Sequence, residues 1–311
     1  MKKVLFATTA LVATAGVAAA DVTFGGYGRF GLLYVEDAPN ELSVTSRFRL
    51  QIDATAESDM GVTFGARVRI QQDNDDPIDT ADVGAPGSAP SGFFRGDRVG
   101  TGINGVRFFA RSGGLEVGVG NIFGALEYMK GQYPIDLGLT GHSYDYTAYN
   151  FRGDAYDSDE GGAAGQNGIE VTYSAGDLNV HVSASDVNDR IAAVVGYSFG
   201  SFNVSLGAQD SDSDTDTELT ASINGAFGPA DVTLTYADNG DDGDHVVLAG
   251  RFDVGAATVV EAYVADADYF AETSYGIGVH HDMGGGTSIR GGISSNSAGT
   301  TLADLGVRFN F

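Results

Sequence analysis

The chain has 311 residues, with 42 acidic residues against 17 basic ones, 46 Gly, 6 Pro and no Cys. A formal charge of −25 excludes electrostatic binding to nucleic acid, and the lack of Cys excludes disulfides and thiolate-held metals as the source of stability. The near-neutral mean hydropathy of −0.05 excludes a helical membrane protein but fits a barrel, where lipid-facing and water-facing residues alternate.

In chain order, Lys2 and Lys3 precede an apolar stretch from Val4 to Val17 and the small residues Ala18, Ala19 and Ala20. This is the layout of an export signal, so residues 1–20 are read as a leader and 21–311 as one mature domain. No later segment reaches the roughly 18 apolar residues that a spanning helix needs. The pattern that does recur has period two, the signature of strands with one apolar face. In the first strand Val22, Phe24, Phe30, Leu32 and Tyr34 share one parity, and Thr23, Tyr27 and Arg29 the other. Residues 43–56 set Val44, Phe48, Leu50, Ile52 and Ala54 against Thr45, Arg47, Arg49, Gln51 and Asp53. A turn at Ser58 to Gly61 leads into residues 62–72, where Val62, Phe64, Ala66, Val68 and Ile70 alternate with Thr63, Arg67, Arg69 and Gln71.

Further strands are predicted at 105–112, 115–120, 168–174, 178–185, 190–199, 202–209, 217–227, 230–237, 245–252, 257–265, 271–281, 287–294 and 300–311. The even total of sixteen is what an antiparallel barrel closed on itself requires. Connections alternate between tight turns, such as Gly113-Gly114 and Gly200-Ser201, and longer acidic loops at 36–42, 73–104, 121–167, 210–216 and 238–244. Short periplasmic turns opposite long outer loops are expected of a 16-stranded outer-membrane β-barrel. A water-soluble β-sandwich has no reason to segregate its connections in this way. The last strand places Val307, Phe309 and Phe311 on one face, suited to closing the barrel at a lipid interface.

With the lipid phase set by the apolar residues, Arg29, Arg47, Arg49, Arg67, Arg69, Arg107, Arg111, Arg190, Arg251, Arg290 and Arg308 all take the inward parity. Folding the second and third strands about the turn near Asp59 is expected to set Arg49 opposite Arg69. Arginines so close need acidic or aqueous compensation. The loop 121–167 offers it with Glu127, Asp136, Asp145, Asp154, Asp157, Asp159 and Glu160. Folded inward, it would set acid against Arg across a constriction.

The stretches Gly118-Val-Gly-Asn-Ile-Phe-Gly-Ala-Leu-Glu127 and Pro134-Ile-Asp-Leu-Gly-Leu-Thr-Gly141 resemble the constriction loop of the trimeric general porins of the Rhodobacter type. Gly25-Gly-Tyr-Gly-Arg-Phe-Gly-Leu-Leu-Tyr34 and the pair Ser46-Arg-Phe-Arg and Phe64-Gly-Ala-Arg-Val-Arg69 are similar to the same family. The resemblance implies a homotrimer in the outer membrane, a third loop folded into the pore, and passive passage of small hydrophilic solutes and ions. It also implies a basic wall of Arg29, Arg47, Arg49, Arg67 and Arg69 facing the acids Glu127, Asp136 and Asp145. The chain departs from it in carrying a single Lys beyond the leader, Lys130, and an acidic tail from Asp154 to Glu160.

Two catalytic patterns lack their context. Gly196-Tyr-Ser-Phe-Gly200 has the spacing of a nucleophile elbow, but another strand follows where a helix is required. Gly26-Tyr-Gly-Arg-Phe-Gly31 has the dinucleotide-loop spacing but lies inside a strand. No enzyme activity and no obligatory cofactor are expected. The runs at Asp210, Asp212 and Asp214 and at Asp241, Asp242 and Asp244 offer oxygens suited to Ca²⁺ but fit no EF-hand loop, and are read first as a solvated mouth. His181, His245 and His280 are read as pore-wall residues. A solute-selective channel on the same barrel would show a path of inward aromatics, whereas Tyr27 and Phe109 are the main ones on the strands. A secreted Ca²⁺-dependent adhesin is a third alternative, distinguished by solubility without detergent.

Overall fold

The computed structural model describes residues 20–74, 106–149, 168–186, 189–212 and 216–311. Residues 1–19 of the expected leader therefore lie outside the described residues, as do Arg95, Arg98, Arg152, Asp214 and the acids from Asp154 to Glu160. Sixteen strands form one closed antiparallel barrel: β1 (Asp21–Val35), β2 (Leu42–Glu57), β3 (Thr63–Asn74), β4 (Arg107–Ser112), β5 (Leu115–Gly120), β6 (Gly168–Ala175), β7 (Leu178–Ser185), β8 (Arg190–Phe199), β9 (Phe202–Asp210), β10 (Glu218–Phe227), β11 (Ala230–Asp238), β12 (Asp244–Asp253), β13 (Thr258–Ala267), β14 (Ser274–Gly284), β15 (Thr287–Ser295) and β16 (Thr301–Asn310). Each strand pairs with its sequence neighbours, and β1 with β16 closes the ring from Tyr27↔Asn310 to Val35↔Leu302. A short 3-10 turn, Gly240–Asp242, interrupts this all-β architecture between β11 and β12.

The tight turns follow from local chemistry. Gly113 and Gly114 both have positive φ, 58° and 87°, which a two-residue hairpin turn of this twist requires at its centre. At the first hairpin, Ser58 exchanges backbone bonds with Gly61 and Val62, and its hydroxyl accepts the Val62 N–H at 3.1 Å.

The predicted parities hold around the wall. Phe24, Phe48, Phe108, Ile191, Leu206, Leu234, Ile277 and Leu305 are exposed on the outside, where a soluble protein would not leave so continuous an apolar band. Phenylalanines gather near the ends joined by short turns: Phe48 stacks on Phe311 at 5.7 Å, and Phe202 lies between Phe199 and Phe227. Outward Gly28 is roofed by the Phe309 ring, and inward Gly65 by Phe109.

The register of the β2–β3 hairpin differs from the predicted one by two residues. Arg49 faces Gln71, Arg47 faces Asp73, Gln51 faces Arg69 and Asp53 faces Arg67. The turn closes through Ser58 and Val62 rather than symmetrically about Asp59, so each Arg sits opposite an amide or a carboxylate instead of another Arg. Direct like-charge pairing is thereby avoided within this hairpin, while across the neighbouring strands Arg47 faces Arg29 and Arg67 faces Arg107.

Inside, the wall is not uniformly polar. Ala237, Val247, Ala249, Tyr263 and Ala265 form an apolar bed with Ile135, Leu137, Tyr146 and Ala148 of the loop after β5. Ala192 and Val194 hold Ala125, Leu126 and Met129 of the same loop. Thr233, an inward residue, is buried beneath this loop close to Gly131 and accepts a bond from the Asn224 amide at 2.8 Å. A carboxylate at outward Leu234 would enter hydrocarbon, whereas one at the half-buried lumen residue Asn224 keeps the shape and the Thr233 partner. Leu234→Asp should therefore sharply reduce the yield of heat-stable barrel in outer membranes and Asn224→Asp should leave it near wild type; equal tolerance would show that the faces are misassigned.

Candidate functional site: the lumen constriction

Residues 121–149 leave β5 at Gly120 and turn into the barrel. At its base Arg107 is buried, with Nε donating to Glu170 at 2.5 Å and Nη2 to Glu116 at 2.6 Å. The second oxygen of Glu170 takes the Phe123 N–H at 3.1 Å and lies 2.9 Å from His181 Nε2. The Arg107 guanidinium also lies over Phe123, 4.1 Å from its centroid. A buried carboxylate is tolerated only when it is this fully partnered, and its partners here fix the loop entry.

Past the entry, the loop runs along the inside wall, its backbone satisfied by strand side chains. Ser183 accepts the Ala125 N–H at 2.9 Å, Ser222 donates to the Lys130 carbonyl at 2.5 Å, and Thr235 donates to the Gly131 carbonyl at 2.8 Å. Glu261 accepts the Asp136 N–H at 3.2 Å, and His280 Nε2 is 3.1 Å from the Gly138 carbonyl. One oxygen of Asp304 then accepts the N–H groups of Leu139 and Thr140 and the Thr140 hydroxyl, at 2.9, 2.7 and 2.8 Å. It is also 3.3 Å from His142 Nε2.

Close approach at this point depends on glycines. A Cβ at Gly31 or Gly306 would come within 2.6 or 2.5 Å of Leu139 Cδ2, and one at Gly292 within 3.1 Å of the Gly138 backbone. Burial pushes the hydroxyl of Tyr146, itself a residue of this loop, well above the ordinary tyrosine range, so it stays protonated.

Not all of the sequence-predicted residues meet across the lumen. Arg29 is buried and donates to the Leu139 carbonyl at 2.8 Å, so it anchors the loop rather than lining the opening. Arg67 makes a two-toothed pair with Asp53 at 2.6 and 3.2 Å. Arg49 donates to Gln71 at 2.5 Å, Arg69 to Gln51 at 3.0 Å and Arg47 to the Tyr27 hydroxyl at 3.4 Å. Asp136 is held by Arg290 and Arg308 at 2.6 and 3.0 Å, and Asp145 accepts from Ser274 and the Ser297 N–H at 2.8 and 2.7 Å. The third loop acid, Glu127, accepts from the hydroxyls of Tyr133 and Tyr149.

The three predicted wall histidines all touch this loop or its anchors, since His245 Nε2 also lies 3.1 Å from the Asp145 carbonyl. Sequence reasoning missed the anchoring acids Glu170, Glu261 and Asp304. The inward parity that located the arginines locates these acids too, but which of them meets the loop is not a periodic property. Among the described residues, no three acids or histidines converge as a metal-binding group. Within the second acidic run and its neighbours, carboxylates serve the loop itself: Asp238 accepts the Gly240 N–H, Asp268 accepts the Asp244 N–H and Asp244 accepts the Tyr236 hydroxyl.

A family profile described as Gram-negative porin matches residues 7–301. A porin of Fuscovulum blasticum is 34% identical over 314 residues, covering 94% of this chain and 100% of the relative. A porin of Rhodobacter capsulatus is 30% identical over 336 residues with the same coverage. The solved structure of a triple mutant of Rhodopseudomonas blastica porin superposes with a TM-score of 0.79 at 31% identity, covering 94% of this chain and 100% of that one.

Asp304 bears the greatest share of the loop's polar anchoring. Asp304→Ala leaves two buried N–H groups and a hydroxyl without their acceptor, each a loss of about 1–3 kcal/mol. Single-channel recordings in KCl should show a larger and noisier conductance than wild type in a barrel that still assembles; an unchanged trace would mean that the remaining anchors hold the loop alone.

Proposed function

This chain belongs to the Gram-negative porin family, and on that premise we propose that its channel moderately favours cations and works as a homotrimer. The protein is an outer-membrane general diffusion porin of a Gram-negative bacterium. Small hydrophilic solutes and ions cross it passively, through the lumen narrowed by the inward loop.

The reading of selectivity is carried by the division of charge. Most of the 42 acidic residues fall in the outer loops, while the mature strands carry eleven inward Arg. At the constriction Asp136 is neutralised by Arg290 and Arg308, and Asp145 is consumed in pinning the loop. The cation preference is therefore assigned to the mouth. An acidic vestibule concentrates cations and repels anions over a Debye length, which falls from about 30 Å at 0.01 M salt to about 3 Å at 1 M.

Reversal potentials across a KCl gradient should favour K⁺ at low salt and lose that preference as salt rises. Neutralising Arg47, Arg49, Arg67 and Arg69 should strengthen it. Anion selectivity of the wild type at low salt would assign control to the basic wall and overturn the reading.

The trimer is supported by wall height as well as by family resemblance. β4 and β5 have six residues each, about 20 Å of extended chain before tilt, whereas a tilted strand needs about 9–11 residues to cross the hydrocarbon. A neighbouring copy covering this low side would remove the mismatch. The detergent-solubilised protein should run as a trimer on gels until heated; migration as a monomer without heating, with light scattering at monomer mass, would reject this part.

A further inference from the structure

Beyond residues 1–20 the chain has a single Lys, Lys130, and it stands at the corner of a tight turn in the inward loop. The Gln132 N–H donates to the Met129 carbonyl at 3.2 Å, which makes Met129 to Gln132 a β-turn with Lys130 at its second position. Gly131, at the third, takes a φ of 100°, the left-handed region that this place in the turn asks of a glycine. The turn is fastened to the wall on both sides of its corner. Met129 is buried in a cluster with Ala192 and Val194, and the Gln132 amide donates to Thr220 at 2.9 Å. The carbonyls of Lys130 and Gly131 accept from Ser222 and Thr235 at 2.5 and 2.8 Å. A Cβ at Gly131 would come within 2.5 Å of Ser222 Oγ, so the backbone lies directly on β10. With its carbonyl and both neighbours turned to the wall, Lys130 projects on the opposite side, and its side chain is exposed to the lumen.

Other charges on and around the loop are committed to partners. Asp136 is shared by Arg290 and Arg308, Arg67 is joined to Asp53, and Arg107 is joined to Glu116 and Glu170. Glu127, three residues before Lys130, accepts from the hydroxyls of Tyr133 and Tyr149. Lys130 makes no ion pair and no side-chain hydrogen bond among the described residues. An ammonium is a compact, strongly hydrated point charge on a flexible stem. Here no carboxylate at ion-pair distance cancels its field.

We propose that Lys130 is a selectivity-setting residue of the channel: its unpaired ammonium, held out into the lumen by the anchored turn, repels cations and attracts anions at close range. It thereby lowers the channel's preference for cations. The inference rests on the porin reading above. At about 0.1 M salt the Debye length is about 10 Å. An ion passing about 6 Å from a unit charge in water then has its local concentration changed about twofold, down for K⁺ and up for Cl⁻. Removing the charge should therefore raise the ratio of K⁺ to Cl⁻ permeability about three- to fourfold.

The test uses the purified channel in planar bilayers. KCl conductance is recorded first; its absence in the wild type would reject the porin reading itself. Reversal potentials are then measured across a KCl gradient centred at about 0.1 M. Lys130→Gln should raise the permeability ratio about three- to fourfold and Lys130→Glu should raise it further. Lys130→Arg keeps the charge and should stay near wild type. Lys130 is also the only side-chain amine in residues 21–311. Acetylation of the assembled wild-type channel with N-hydroxysuccinimidyl acetate should therefore move it to the Lys130→Gln value and leave Lys130→Arg unmoved, and this arm needs no altered chain to fold. At 1 M KCl, where the Debye length is about 3 Å, the conductance of Lys130→Gln should match that of wild type. A ratio that rises only together with a larger conductance there would mean that the loop has moved, and would overturn the proposal. So would an unchanged ratio in Lys130→Gln, or an acetylated wild type that keeps its selectivity.

Discussion

Hydrocarbon offers no partner to a backbone N–H or C=O, and every other feature of this protein follows from that constraint. A sheet in lipid must close, because an open edge would leave a whole row of donors and acceptors unpaired. Closure here is the pairing of β1 with β16 over nine residue pairs, from Tyr27↔Asn310 to Val35↔Leu302. Once the ring is closed, alternation along each strand divides the molecule into an apolar outside and a wet inside. Among the described residues, two buried clusters lie between the wall and the inward loop, and a third, Leu33, Val35 and Leu302, packs with Ala38 after β1.

That loop poses the same problem in a smaller space. Its backbone enters a crowded interior, and its polar groups need partners there. The wall supplies them from side chains on β6, β7, β10, β11, β13, β14, β16 and β1, in an order that follows the loop around the barrel. Glycines at Gly31, Gly292 and Gly306 clear the space at the far end, where a side chain would collide with Leu139 or Gly138. Polar anchoring and apolar bedding act together. The hydrogen bonds orient the loop, and Leu137, Ile135 and Tyr146 bury enough surface to keep it there.

At the constriction charge is used by position: Asp136 is paired with Arg290 and Arg308, Asp145 pins the loop through Ser274 and Ser297, and Arg67 is joined to Asp53. Acids that hold the loop in place are thereby taken out of direct contact with permeating ions. On the proposed reading, an acidic mouth would act on any ion through a screened, long-range potential.

The strand count, the faces, the alternation of short and long connections and the inward parity of the arginines were all legible from residues alone, because each depends on period two and on turn chemistry within one hairpin. Resemblance supplied the inward loop. The sequence could not place Arg29 under Leu139, join Asp136 to Arg290 and Arg308, or exchange the expected Arg49–Arg69 pairing for Arg49–Gln71. Those outcomes depend on where a loop of nearly fifty residues crosses a wall formed by strands far away in the chain, and on a two-residue choice in how one turn closes. Neither leaves a periodic trace. Local alternation therefore determined the barrel, and only the tertiary path of the loop decided which of its inward residues hold the constriction and which line it.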